Sequence, residues 1–215
     1  MARIDIDSLT KADTLVYKYT QTNLEKNMEI YSKYGYFVIA VQNGKYAGHA
    51  MALGTTKLGK KAFKGLKTSL FKKDVNVQLY FVRPTFMTNS AFIDEYQIGT
   101  KKARFKGQVN AKVELSDAEK FARFVGDFAA KRTGAVLNEA EFASFIIGAA
   151  LTEMIPAGSI RPFVYETNVH GGGNREALAA NVVFRVYFKP EKINRYTAIG
   201  LRARSIEVDA KELSF

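Results

Sequence analysis

Hydrophobic positions change their spacing near the middle of the chain. Before Leu115 they alternate with polar residues or run continuously; after Ser116 they recur at three and four. The stretch YGYFVIAVQNGKYAGHAMALG, residues 34–54, reads as two strands rich in β-branched and aromatic side chains. They are joined at Asn43-Gly44, a pair that favours a tight primed hairpin turn. VNVQLYFVRPTF (75–86) reads as a strand ended by Pro84, and AFIDEYQIGT (91–100) as another. In KARFKGQVNAKVEL (102–115), Ala103, Phe105, Gly107, Val109, Ala111, Val113 and Leu115 share one face. Arg104, Lys106, Gln108, Asn110, Lys112 and Glu114 take the other, as in a strand with one face in water.

Helical spacing follows. Ser116 with Glu119 three residues on forms a capping-box pattern ahead of a stripe of Phe121, Phe124, Val125 and Phe128. A second helix spans LNEAEFASFIIGAALTEMI, with Asn138 and Glu141 as its box and Pro156 as its stop. It is apolar most of the way round, which suits a core helix or one shared between core and subunit interface. A third helix is predicted over NREALAANVVFRVYF (174–188), then a short helical piece in KINRYTAIG and a closing strand from Leu201 to Val208. Residues 1–33 read as a polar extension with a short helix in TQTNLEKNMEIYSKY (20–34). The rest, 34–215, reads as one domain: mainly β over 34–115, mainly α over 116–200, closing strand over 201–208. The order predicts an α+β fold, an antiparallel or mixed N-terminal sheet followed by helices.

Charge adds a second pattern. The net charge is +11, which favours polyanionic partners: nucleic acid, anionic lipid or an acidic protein. From Ile30 to Lys73 there is no Asp or Glu, and Lys57, Lys60, Lys61, Lys64, Lys67, Lys72 and Lys73 crowd its end. Among them Leu58, Ala62, Leu66 and Leu70 recur every four residues beside Phe63 and Phe71, an amphipathic helical pattern. Gly59 and Gly65, at about 1 kcal/mol each against alanine, make a connecting loop nearly as good a reading. Three roles fit. The lysines bind anionic lipid while Phe63, Leu66, Leu70 and Phe71 rest at the headgroup boundary; or they contact nucleic-acid phosphates; or the apolar side packs on the sheet and the lysines solvate it. Lysine in place of arginine argues against base-specific recognition.

Catalytic signals are weak. The chain has no cysteine, which removes disulfide and thiol chemistry and suits a cytoplasmic setting. No run of about eighteen apolar residues appears, so a membrane role is peripheral. His49 reads as a partly buried structural side chain on a strand, and His170 as a loop histidine. NVHGGGNREAL (168–178) lacks the P-loop ending and the dinucleotide spacing, and reads as a connection to the third helix. Asp94 and Glu95, neighbours on a strand, point to opposite faces. No nucleophile motif is present. The reading is of a chain that is not an enzyme, with no cofactor, no metal and no small-molecule substrate.

Four segments, in this order, resemble the SPFH family (band 7, the group of stomatin, prohibitin and flotillin), and within it a bacterial virion-core branch. They are YGYFVIAVQNGKYAG, VNVQLYFVRP, the block YQIGTKKARFKGQVNAKVELSDAEKFARFVGDF with Gly99-Thr100, Gly107, Asp117 and Phe121, and INRYTAIGLRARSIEVDAKEL. The likeness covers roughly residues 34–212. It departs at Ala118, where the family usually has proline, and it shows neither an apolar N-terminal anchor nor a C-terminal coiled coil. The resemblance implies an SPFH-like domain with a final strand, in a scaffold that self-assembles into rings or cages at a membrane. The expectation is therefore a homo-oligomeric scaffold subunit, cytoplasmic or at the inner face of a membrane, touching an anionic surface through Lys57–Lys73. A basic nucleic-acid-binding accessory protein, or a structural component of a virus-like or phage-like particle, is the alternative.

Overall fold

The computed structural model describes residues 3–21, 28–57, 63–66, 77–98, 101–128, 130–154, 183–187 and 198–213. The elements, in order, are β1 (Arg3–Asp5), α1 (Ile6–Leu9), β2 (Thr14–Gln21), β3 (Glu29–Gln42), β4 (Lys45–Lys57), β5 (Val77–Val82), β6 (Thr85–Ile98) and β7 (Lys101–Leu115). After them come α2 (Ala118–Phe128), β8 (Gly134–Asn138), α3 (Glu139–Met154), β9 (Val183–Tyr187) and β10 (Leu201–Leu213). The fold is mixed α+β, mostly strands, with a sheet at its N-terminal end.

That first sheet runs β1-β3-β5-β2-β8, with β4 on the other side of β3. Its pairings are antiparallel except β1 with β3, which is parallel. The β3–β4 hairpin turns at Asn43 (φ 49°) and Gly44 (φ 74°), both in the left-handed region that a primed turn requires. Alternation divides β3 between the two faces of the sheet. On one, Tyr36, Val38 and Ala40 join Leu79 and Phe81 of β5 in a buried cluster with Ile4, Ile6 and Ile30. Tyr17 and Tyr19 of β2 stack on Phe81 from the same side. On the other, Ile39 and Tyr80 stand opposite each other, both buried. Buried Phe121 of α2 meets Phe86 edge-on, with ring centroids 5.5 Å apart.

The N-terminal residues depart from the expected polar extension. Ile4, Ile6, Leu15, Val16, Met28 and Ile30 are all buried, and β2 lies between β5 and β8. Charged neighbours mask the apolar alternation there. Residues 29–34 are strand, not helix, because Ile30 and Ser32 face inward while Lys33 and Tyr34 face water. The expected helix over 20–34 otherwise has its centre outside the described residues.

The second sheet runs β6-β7-β10-β9. In β7, Val109, Ala111 and Val113 are buried and Lys106, Gln108 and Lys112 exposed, as the alternation predicts. β10 extends five residues past the expected Val208, to Leu213. The third predicted helix is overturned where it is described: Val183–Tyr187 is a strand, antiparallel to β10 from Lys211↔Val183 to Glu207↔Tyr187. The β-branched and aromatic run VFRVY favours strand over helix once a partner is there to pair with. Residues 174–182 of that helix, the glycine-rich loop 168–178 and His170 lie outside the described residues.

Where one domain over 34–215 was expected, the chain divides into two units. The first comprises Met1–Phe86, Val113–Asn138 and Ile193–Ala203; the second comprises Met87–Lys112, Glu139–Lys192 and Arg204–Phe215. In the second, Thr88 is buried and its hydroxyl donates to the Glu139 carbonyl (3.3 Å) at the start of α3, where Phe142, Ala143 and Ile146 are buried.

Candidate functional site

Of the seven candidate lysines, Lys57 and Lys64 are described, and both are exposed. Lys57 ends β4, across from Glu29. Lys64 sits in a turn spanning Phe63–Leu66, closed by the Leu66 N–H donating to the Phe63 carbonyl at 3.1 Å. Lys60, Lys61, Lys67, Lys72 and Lys73, with Leu58, Ala62, Leu70 and Phe71, lie outside the described residues, so the helical reading is met only at this turn, which is not helical.

The apolar residues of that turn correct the headgroup-boundary expectation. Phe63 is 0% and Leu66 3% exposed, and both belong to the cluster under β3 and β5. Burial of this kind, about 1.5–3 kcal/mol for each such side chain, is not available to a surface ligand as well. The Gly65 N–H donates to the Ala47 carbonyl of β4 at 2.8 Å, which ties the turn to the sheet margin. Gly48 makes the approach possible: a Cβ there would lie 3.1 Å from Phe63 Cα. The segment is thus held down at its middle, with Lys64 turned outward.

Both strands of the hairpin carry exposed apolar side chains. Met51 (44% exposed) and Leu53 (67%) lie on β4, and Tyr34 (75%) on β3. Leu53 reaches the side of Gly35, its Cδ1 3.7 Å from where a Cβ would sit, and Lys33 Nζ stands 5.6 Å from the Tyr34 ring centre. At the far end Arg3 lies 4.1 Å over the Tyr31 ring, a cation–π contact.

Two cavities flank the hairpin. One, about 590 Å³, is lined by residues of α1 and the loop after it, of β3 around Tyr34–Tyr36, and of Arg83–Thr85. Arg83 is held there by donating its guanidinium to the carbonyls of Lys11 and Ala12, and the Tyr36 hydroxyl meets Thr10 Oγ1 at 3.1 Å. The other, about 310 Å³, has Phe37, Tyr46 and His49 on one side and Ser116, Asp117 and Glu119 on the other.

In this second cavity the Tyr46 hydroxyl hydrogen-bonds Nδ1 of His49, and the Phe37 ring meets the imidazole edge-on. Burial first, then the charges of Glu119 and Asp117, raise the Tyr46 phenol above its ordinary pKa. His49 is exposed, not partly buried as expected. The spacing of Tyr46 and His49 hid the pair, since residues three apart on a regular strand face opposite ways. A bulge cancels the mismatch: Val41 pairs Tyr46 while Ala40 pairs Gly48, leaving Ala47 extra.

Asp117 is tied up structurally. Its Oδ1 accepts from the Glu119 and Lys120 N–H groups, both at 3.1 Å, capping α2. Among the described residues no group of three or more His, Asp or Glu side chains is placed to hold a metal ion. Among them, too, no helix is long and apolar enough to cross a membrane. No family model, curated protein or solved structure matches this chain.

Proposed function

We propose that this chain is a non-enzymatic, SPFH-like scaffold subunit that associates with copies of itself and touches an anionic membrane surface through its lysine-rich segment. The proposed location is the cytoplasm, at the inner face of a membrane. The observation that carries the reading is the anchored turn. Phe63 and Leu66 are buried in the sheet's core, Lys64 between them is exposed, and Lys57 is exposed at the end of β4. Such a segment presents cations from a fixed base, so less conformational entropy is lost when it meets a surface. Each lysine near an anionic bilayer contributes about 1 kcal/mol. The acid-free run from Ile30 to Lys73 leaves that attraction unopposed within the segment.

Co-sedimentation with vesicles tests the surface contact. Binding to phosphatidylcholine vesicles containing phosphatidylserine, and not to phosphatidylcholine alone, is expected. Replacing Lys57, Lys60, Lys61, Lys64 and Lys67 by glutamine is expected to abolish it. Equal binding to both vesicle types, or none, sinks the membrane part. Tight binding to DNA or RNA with a steep salt dependence, in place of vesicle binding, would favour the nucleic-acid alternative. Light scattering on concentrated protein tests assembly, and a monomer at high concentration removes that half.

A further inference from the structure

We propose that the cavity beside α1 is a binding site for a small organic anion, a carboxylate or phosphate carried on a flat apolar body. This site stands apart from the surface contact proposed above. All the residues that line it belong to the first unit, and its volume of about 590 Å³ is that of a small-molecule site.

Arg83 is the centre of the site. Its Nη2 donates to the carbonyls of Lys11 and Ala12, which fixes the guanidinium without neutralising it. The N–H groups on Nε and Nη1 have no partner among the described residues. Among those residues, too, no carboxylate pairs with Arg83 or with Nζ of Lys11, in the turn that Arg83 holds. A guanidinium oriented in advance can take a carboxylate or phosphate through two parallel hydrogen bonds.

The other polar groups of the wall are already engaged. Asp7 Oδ1 accepts from the Ser32 hydroxyl at 3.0 Å, and its Oδ2 accepts from the Lys33 N–H at 2.6 Å. Thr10 Oγ1 donates to the Ile6 carbonyl at 3.0 Å, so in its contact with Tyr36 the tyrosine is the donor. Arg83 and Lys11 are the charged donors that remain. Against the single carboxylate of Asp7 they leave the wall with an excess of positive charge, and exposed Asp13 and Lys33 nearby offset each other. Glu114, next in the chain to the Leu115 that hydrogen-bonds Pro84, is taken up by Arg202. Tyr36 and Pro84 supply apolar wall, and the ring of Tyr34, 75% exposed, can cover a flat ligand.

The test is a titration of full-length protein, labelled with nitrogen-15 at arginine, followed by NMR. The probes are benzoate, phenyl phosphate, inorganic phosphate, benzyl alcohol and benzylamine. Benzoate or phenyl phosphate is expected to saturate the site with a Kd of about 1 mM or tighter. It should move the Arg83 Nε signal, identified by its loss in Arg83→Gln. Tighter binding by one of the two names the charged head. Benzyl alcohol and benzylamine are expected not to bind. Arg83→Gln should weaken phenyl phosphate about tenfold, and Lys11→Gln about threefold. Lys11 is exposed, so its variant keeps the fold and decides the matter where Arg83→Gln loses the native circular dichroism. Tyr34→Ala should weaken phenyl phosphate and leave inorganic phosphate unchanged.

Saturation by neither benzoate nor phenyl phosphate up to about 50 mM overturns the proposal. So does benzyl alcohol binding as tightly as either anion, which would make the cavity apolar and nothing more. Affinity for phenyl phosphate unchanged in Lys11→Gln and in a folded Arg83→Gln overturns it as well. The protein with Lys57, Lys60, Lys61, Lys64 and Lys67 replaced by glutamine is expected to bind phenyl phosphate as the wild type does. Loss of binding there would assign the anion to the lysine-rich segment and remove it from this cavity.

Discussion

The Gly65 N–H and the Ala47 carbonyl, 2.8 Å apart, form the link that fixes the lysine-rich segment to the margin of the first sheet. A Cβ on Gly65 would lie 2.8 Å from that carbonyl oxygen and 2.9 Å from Ala47 Cα, both backbone atoms that cannot swing aside. Gly65→Ala should therefore lift the turn. The expected cost is about 1–3 kcal/mol, the range for forced overpacking. Trypsin should then cut within Lys57–Lys73 faster than in the wild type, and an unchanged cleavage rate would show that the link does not hold the segment.

Phe63 supplies the packing under that link. It is fully buried among aliphatic and aromatic neighbours of the first sheet. Phe63→Ala is expected to cost about 3–5 kcal/mol by urea denaturation. Lys64→Gln, one residue on and exposed, should leave stability within about 0.5 kcal/mol. A Phe63→Ala protein as stable as the wild type would return this side chain to the surface.

Much of the fold was legible because local chemistry and tertiary structure agree. Asn43-Gly44 announced the hairpin and the alternation after Lys106 announced β7. The start of α2 was legible only to within one residue. Ser116 and Asp117 are both good caps, and the Ser116-to-Glu119 spacing favoured the first. The choice is made by a distant residue: the N–H groups of both donate to the Gly200 carbonyl, at 2.9 and 3.0 Å, and Asp117 closes the helix. Asp117→Ala should cost about 0.5–2 kcal/mol and Ser116→Ala close to nothing. Equal losses would restore the cap to Ser116.

Gly200 itself carries a contact that no local pattern signals. Its φ is +80°, and a Cβ would press on the Asp117 carbonyl oxygen and come within 2.7 Å of the Phe121 nitrogen. Gly200→Ala adds left-handed strain of about 1–2 kcal/mol to a backbone clash of similar size or larger, so a loss of about 2–4 kcal/mol is expected. Thermal or urea unfolding would show it, and a loss under about 1 kcal/mol would mean that this close approach is not kept. The Tyr46–His49 pair was hidden for a related reason. It depends on an extra residue in β4 opposite β3, and the period of one strand read alone does not report a bulge in a pair.

Two phenols, one buried and one half-buried, set the response to alkali. Tyr80 is buried with its hydroxyl donating to Gln78 Oε1 at 3.1 Å, and burial raises its pKa above the usual phenol value. Tyr46 is raised by burial and by Glu119 and Asp117. In the unfolded chain each phenol loses its proton near pH 10, whereas in the folded chain each keeps it to higher pH. Above that point the folded state binds more protons, so stability falls as pH rises. The contribution is intact below about pH 10 and disappears as pH climbs through the folded-state values. Tyr80→Phe gives up one hydrogen bond at neutral pH, about 0.5–1.5 kcal/mol, and with it part of the alkaline slope. Unfolding midpoints measured from pH 9 to about pH 11 should fall more steeply for the wild type than for this variant. Parallel curves would mean that the Tyr80 hydroxyl reaches water before the fold opens.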